Sequence, residues 1–312
     1  MAVKQDLALV FPGQGSQKIG MLSDFSDRAV VKDTFLAASN VLGYDLWSLV
    51  QSGSQDELNM TEVTQPALLT CSVALWRLWL DQDGATPAYM AGHSLGEWSA
   101  LVCAGVITFE EAVKLVRLRG KYMQEAVPTG EGAMAAIIGL TDDKIEGICT
   151  DLSNSGVVAP VNYNSPGQVV IAGAKIAVES AMAECKKAGA KRALPLPVSA
   201  PFHTSLMEPA ANRLAQDLSS IVFSSPQIPV VHNVTAATEM DANTIKSLMI
   251  EQIYSPVRWV SCVQYLAANT VTNLVEVGPG KVLSGLAKRI DRNLSATATE
   301  TLVALDASIV AN

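Results

Sequence analysis

A serine framed by two glycines, Gly92-His93-Ser94-Leu95-Gly96, follows an apolar run ending at Met90 and precedes a helical pattern that begins near Leu95. A sharp strand-to-helix turn of this spelling lifts the serine hydroxyl above the sheet and aims the next backbone N–H, that of Leu95, at an oxyanion forming there. Gly92 and Gly96 suit a turn in which strand and helix pass too closely for a Cβ. Ser94 is therefore a candidate nucleophile, and a nucleophilic serine needs a base. The chain holds three histidines, His93, His203 and His232. His93 adjoins Ser94, and in a strand-to-turn geometry its ring points away from the hydroxyl, which suits a supporting role. His232 lies in the strand-like stretch 228–234 and reads as a core histidine before a catalytic one. His203 follows Pro195, Pro197 and Pro201 in a stiffened loop and is the best-placed base.

A third group emerges from a helical wheel. In residues 108–126, at about 100° per residue, Phe109, Ala112, Val113, Val116, Gly120 and Met123 share one arc, while Glu110, Glu111, Lys114, Arg117 and Lys121 share the opposite one. Arg119 falls beside Ala112 and Met123, the wrong side for a solvated arginine. Two readings stand: an arginine at the edge of the stripe that reaches water or a structural carboxylate, or a guanidinium left in a pocket for an anionic substrate.

The elements that must hold these groups follow from the hydrophobic pattern. Residues 7–11 form a short apolar run, hence a buried strand, that enters Pro12-Gly13-Gln14-Gly15-Ser16-Gln17. A phosphate-binding loop is the first use to weigh, but Lys18 is not followed by Ser or Thr, and the third glycine of a dinucleotide fingerprint is missing. The other use is a backbone N–H serving as second donor opposite Ser94. Helices are expected at 33–42 and 66–80, the latter with Thr64 as N-cap and Pro66 in its first turn. Residues 89–92 are the strand leading to Ser94. From 133 to 198 the pattern reads strand 133–140, helix 142–152, strands 157–162 and 168–172, helix 175–188, strand 191–198. This β-α-β-β-α-β order is a ferredoxin-like unit. The expected organisation is a large α/β subdomain (1–128 and 199–312) with a small one (129–198) inserted. After it come a helical stretch 257–268, a strand 273–277, a turn at Gly278-Pro279-Gly280, a helix 281–290 and a polar tail with one apolar run, 302–305.

Composition narrows the class. The 312 residues suffice for a large core, and scarce aromatics, at 5%, favour packed helices and parallel strands over a sandwich. A net charge of −8 argues against nucleic acid or an anionic membrane as partner. No run is long enough to span a bilayer, and residues 1–6 lack the apolar core of a secretory signal, so a cytoplasmic protein is expected. Five cysteines lack C-x-x-C spacing and sit among apolar residues, which suggests reduced buried thiols and no metal site.

Six segments occur in one order: Gly13-Gln14-Gly15-Ser16-Gln17, Thr64-Gln65-Pro66-Ala67, Gly92-His93-Ser94-Leu95-Gly96-Glu97, Arg119-Gly120, Pro201-Phe202-His203 and Glu276-Val277-Gly278-Pro279-Gly280. Together, from about residue 7 to 290, they make the chain resemble the malonyl-CoA:acyl carrier protein transacylase family. One departure is Trp98, where that family more often has tyrosine; it lies outside the chemistry. The resemblance implies a hydrolase-like large subdomain with a parallel sheet, a ferredoxin-like small subdomain and a site in the cleft between them. It implies Ser94 as nucleophile, His203 as general base, the Gln14 and Leu95 N–H groups as oxyanion hole, Arg119 as clamp on the malonyl carboxylate, and the Gln252 backbone carbonyl as the group that orients the histidine. It further implies malonyl-CoA and acyl carrier protein as partners, no cofactor, and ping-pong transfer in fatty acid synthesis. Lys187, Lys191, Arg192, Lys281, Lys288 and Arg289 are candidates for a patch facing the acidic carrier. The alternatives are a serine esterase or thioesterase, a loading acyltransferase acting in trans for a polyketide synthase, or an inactive carrier-docking module, against which the presence of both Ser94 and His203 speaks.

Overall fold

The computed structural model describes residues 3–198 and 200–312. In chain order, β1 (Val3–Phe11) is followed by α1 (Ala29–Leu42), α2 (Leu46–Ser52), α3 (Gln55–Leu58), α4 (Thr61–Asp81), β2 (Thr86–Gly92), α5 (Leu95–Cys103) and α6 (Phe109–Glu125). Next come β3 (Gly132–Ile138), α7 (Asp142–Asp151), β4 (Val158–Ser165), β5 (Gln168–Ala174), α8 (Lys175–Lys187) and β6 (Arg192–Pro195). The remainder comprises α9 (Glu208–Leu218), β7 (Val230–Val231), α10 (Ala242–Glu251), α11 (Trp259–Ala268), β8 (Asn273–Glu276), α12 (Val282–Ile290), β9 (Ser295–Ala298) and α13 (Leu302–Ala311).

Two sheets result. The first is parallel throughout, in the order β7-β2-β1-β8-β9. Its central strand β1 alternates between two cores: Leu7, Leu9 and Phe11 join one cluster, Ala8 and Val10 the other. A parallel strand covered on both faces has no polar face to show, which is why residues 7–11 read as an unbroken apolar run. The second sheet is antiparallel, in the order β4-β5-β3-β6, with α7 and α8 between its strands in sequence; this is the expected ferredoxin-like arrangement. Here too the period of two is used twice. Ala135, Ile137, Val169 and Ile171 pack with α7 and α8, whereas Met134, Val170 and Ala172 join the core of the first sheet.

Several boundaries differ from the sequence reading. Helix α4 starts at Thr61, with Met60 rather than Thr64 at its N-cap, and Pro66 lies inside it. The Thr64 hydroxyl instead donates to the Leu58 carbonyl. β6 ends at Pro195, short of the expected 198, because Pro195 and Pro197 have no N–H to give a ladder, and Val198 N–H turns back to the Leu196 carbonyl at 2.8 Å. Only Val230 and Val231 of the stretch 228–234 form strand, since the chain turns back at once and His232 N–H bonds the Ala237 carbonyl at 3.0 Å. The tail holds β9 and α13, two elements that sequence patterning did not separate. β9 is an edge strand of small and polar residues, and α13 buries only Leu305 and Ser308, so neither carries a strong hydrophobic period.

Candidate active site

β2 delivers Gly92 and α5 begins at Leu95, so His93 and Ser94 form the turn between them. Ser94 has φ 52° and ψ −106°, a backbone conformation that costs about 1–3 kcal/mol for a non-glycine residue and persists only when its surroundings enforce it. The surroundings are on hand. A Cβ on Gly92 would lie 1.9 Å from the Gly96 carbonyl carbon, and one on Gly96 would lie 2.0 Å from the Phe11 oxygen, so both positions must be glycine. Asn233 closes the turn from the side: its Oδ1 accepts from Ser94 N–H at 2.7 Å, and its Nδ2 donates to the Gly92 carbonyl at 2.7 Å.

His203 is also left-handed, at φ 65°. The Thr204 hydroxyl donates to the Pro201 carbonyl at 2.8 Å, tying the loop across the histidine. The imidazole Nε2 lies 2.8 Å from Ser94 Oγ, and Nδ1 lies 2.8 Å from the Gln252 backbone carbonyl. A carbonyl can only accept, so Nδ1 carries the proton and Nε2 is free to take one from the serine. Burial first, and the nearby Arg119 cation second, push the His203 ring down to about 3. At neutral pH it is therefore uncharged and able to accept a proton.

Arg119 projects from α6, whose N-cap Thr108 accepts from Glu111 N–H at 3.3 Å. Its side chain is 1% exposed, as the wheel implied. Nη1 donates to Gln65 Oε1 at 2.9 Å, and Nη2 donates to Gln252 Oε1 at 3.0 Å and Ser94 Oγ at 3.2 Å. All three acceptors are neutral, and Nε has no partner among the described residues. The cation is oriented but not neutralised. Burial lowers its pKa to about 10, with the Glu97 carboxylate opposing that shift, and it stays charged at neutral pH. Of the two readings open at the sequence level, no carboxylate is among its hydrogen-bond partners within the described residues, and the pocket is present.

That pocket is a cavity of about 110 Å³ bounded by Ser94, His203, Arg119, Gln14, Leu95 and Met134, among others. Gln14, in the loop after β1, and Leu95, the first residue of α5, lie on its wall, and neither backbone N–H has an acceptor among the described residues. His93 lines the cavity; its Nε2 lies 2.8 Å from Asn164 Oδ1 on β4, and burial lowers its pKa. His232 is fully buried and bonds Glu97 Oε1 through Nδ1 at 2.7 Å.

Three participants escaped the sequence reading. Gln65 and Glu97 stand inside quoted motifs, but nothing in their spacing shows that one holds Arg119 and the other Gln252. Asn233 follows His232 and carries no local signal; its contact with Ser94 spans 139 residues.

A nucleophile elbow on a parallel sheet, a carbonyl-oriented histidine and a buried arginine beside them define a serine acyltransferase type of site, and a model of the acyl transferase domain family matches residues 8–305. The chain is 58% identical to the malonyl CoA-acyl carrier protein transacylase of Salmonella typhimurium over 97% of its length and 98% of that protein. A crystal structure of an acyl carrier protein S-malonyltransferase from Vibrio cholerae superposes with a TM-score of 0.95 at 58% identity, covering 97% of this chain and 99% of that one. A malonyl-transacylase in complex with the acyl carrier protein of a type II polyketide synthase superposes with a TM-score of 0.97 at 55% identity, covering 98% and 100%. The chain belongs to the malonyl-CoA:acyl carrier protein transacylase family.

Proposed function

We propose that this enzyme transfers the malonyl group of malonyl-CoA to the pantetheine thiol of acyl carrier protein, through an ester on Ser94, in cytoplasmic fatty acid synthesis. The observation that carries this reading is the buried Arg119 cation, bonded among the described residues to neutral oxygens only and 3.2 Å from the Ser94 hydroxyl. A free carboxylate at the far end of an acyl group is the partner such a cation lacks.

His203 Nε2 takes the Ser94 proton as Oγ attacks the thioester carbon. The carbonyl oxygen gains the negative charge and is met by the Gln14 and Leu95 N–H groups. Collapse breaks the C–S bond, CoA leaves as a thiol with the proton from His203, and malonyl-Ser94 remains. The carrier thiol then gives its proton to His203 and attacks the ester. Ser94 Oγ leaves and regains the proton, so kinetics are ping-pong. The Gln252 carbonyl steadies the imidazolium formed in each half-reaction, the part an aspartate plays in a triad. Arg119 adds a second effect. Its charge lowers the basicity of His203, and a carboxylate seated on it offsets that charge, so the correct acyl group improves its own base.

We assign residues 1–128 and 199–312 to a large subdomain and 129–198 to a small one, with the cleft between them as the route for the pantetheine arm. A groove of about 240 Å³ that shares Gln14, His93 and Asn162 with the catalytic cavity supports that route. At its rim Arg289 bonds Gln168 at 2.9 Å, and Gln168 and Arg192 both pair with Ile138. These arginines, with Lys187, Lys191, Lys281 and Lys288, form the proposed docking patch for an acidic carrier. Service to a polyketide carrier is the second reading, favoured by the likeness to the polyketide-complexed enzyme. Incubation with malonyl-CoA and each pantetheinylated carrier tests both: malonyl should appear on the fatty acid carrier. Steady release of free malonate with no loaded carrier contradicts transferase function.

A further inference from the structure

Beneath Ser94 lies a buried polar cluster centred on a carboxylate that the reaction steps leave unused. Glu97, in the first turn of α5, is 1% exposed, and His232, Asn233 and Gln252 are fully buried around it. Its Oε1 lies 2.7 Å from His232 Nδ1. Its Oε2 accepts from Asn233 N–H at 3.0 Å and from Gln252 Nε2 at 2.7 Å. Three donors converge on one carboxylate, an arrangement that only an acceptor-only group satisfies.

Gln252 is the pivot. Its backbone carbonyl orients His203, while its side-chain amide faces two ways: Oε1 toward Arg119 Nη2 at 3.0 Å, and Nε2 toward Glu97 Oε2 and the Ser94 carbonyl at 2.7 and 3.0 Å. A primary amide has two orientations of nearly equal shape. Turned over, this one would press an NH₂ group against the guanidinium and an oxygen against both a carboxylate and a carbonyl. Glu97, together with the Ser94 carbonyl, therefore selects the orientation that presents an acceptor to Arg119, and Glu97 makes the shorter bond.

We propose that Glu97, held by His232, is a positioning residue for acyl-group selection: it fixes the Gln252 side-chain amide and, through it, the pose of the Arg119 guanidinium. The inference rests on the transferase reading above and on the clamp assigned to Arg119. The same carboxylate also opposes the desolvation of the Arg119 charge. His232 acts only through Nδ1, because its Nε2 has no hydrogen-bond partner among the described residues.

The test compares acylation of Ser94 by malonyl-CoA and by acetyl-CoA, followed by rapid quench and intact mass, in the wild type, Glu97→Gln, His232→Leu and His232→Asn. A glutamine at 97 has one oxygen for three donors, so Gln252 Nε2 loses its shortest bond and keeps only the Ser94 carbonyl at 3.0 Å and Asn233 Oδ1 at 3.4 Å. The ratio of malonyl to acetyl kcat/KM should fall about tenfold to a hundredfold, as displacement of a positioning group by about 1 Å predicts. His232→Leu should lower the ratio in the same direction by a smaller factor, and His232→Asn, whose amide nitrogen stands in for Nδ1, should restore it. An unchanged ratio in Glu97→Gln, or equal losses for both acyl donors, overturns the proposal. Should Glu97→Gln not fold, an unchanged ratio in His232→Leu overturns it instead. Failure of the wild type itself to take malonyl on Ser94 refutes the transferase reading, whereas normal wild-type acylation with unshifted ratios refutes only the role of Glu97.

Discussion

The two sides of the cavity proposed as the active site are built by different means. On the reacting side the backbone does the placing: Ser94 and His203 both adopt positive φ, at 52° and 65°, and main-chain groups of Gln252 and Leu95 complete the set. On the gripping side the backbone is ordinary helix, and Arg119 is placed by its position on the buried arc of α6 and by the side-chain oxygens of Gln65 and Gln252. Backbone placement fixes atoms that every acyl group meets alike, which suits chemistry common to all of them. Side-chain hydrogen bonds are easier to alter, which suits the part that decides which acyl group is accepted.

If this division holds, damage on the reacting side is indifferent to the acyl group. His203→Ala should slow acylation about 10²–10⁴-fold for malonyl-CoA and acetyl-CoA alike, measured as the quenched first turnover. A loss confined to one donor would break the comparison. Damage on the gripping side should discriminate. Arg119→Ala leaves the malonyl carboxylate without its partner, a loss of about 3–5 kcal/mol for a buried pair. Malonyl transfer should fall at least a hundredfold while acetyl transfer survives or rises, and unchanged relative rates would contradict the clamp.

The pH profile sharpens the same contrast with a smaller effect. With His203 held near 3, the free enzyme keeps its base neutral across the ordinary range, so malonyl kcat/KM should change less than about twofold between roughly pH 8 and 5. An acid limb near 6.5, the ordinary histidine value, would place His203 in solvent. The sign for stability follows. The unfolded chain binds a proton at His203 below about 6.5 and the folded chain only below about 3, so this group adds stability as pH rises through that window and nothing further above it. The smallest effect lies outside both sides. Thr108→Ala removes the α6 N-cap and should cost about 1 kcal/mol in denaturant unfolding without altering either acylation rate.

What sequence could show tracks how local the cause is. The Ser94 turn, the inward arc carrying Arg119 and the ferredoxin-like strand order depend on spacing within one or two elements, and all were legible. The choice of His203 as the histidine beside Ser94 was open to elimination, because three histidines leave few choices, and its ring lies 2.8 Å from Ser94 Oγ. Glu97, Gln65 and Asn233 were not, since their partners lie 155, 54 and 139 residues away and no periodic pattern links them. Boundaries went astray where proline or weak hydrophobic contrast governs: the start of α4, the end of β6, and the edge strand β9.

The central claim is that Ser94 carries the malonyl group between two thiols. Its most direct test is the intact mass of the protein after malonyl-CoA is added and again after pantetheinylated carrier protein follows. The wild type should gain one malonyl group and then lose it to the carrier, and Ser94→Ala should gain none. A malonyl adduct that persists in Ser94→Ala, or one that the wild type discharges only to water, would contradict the account.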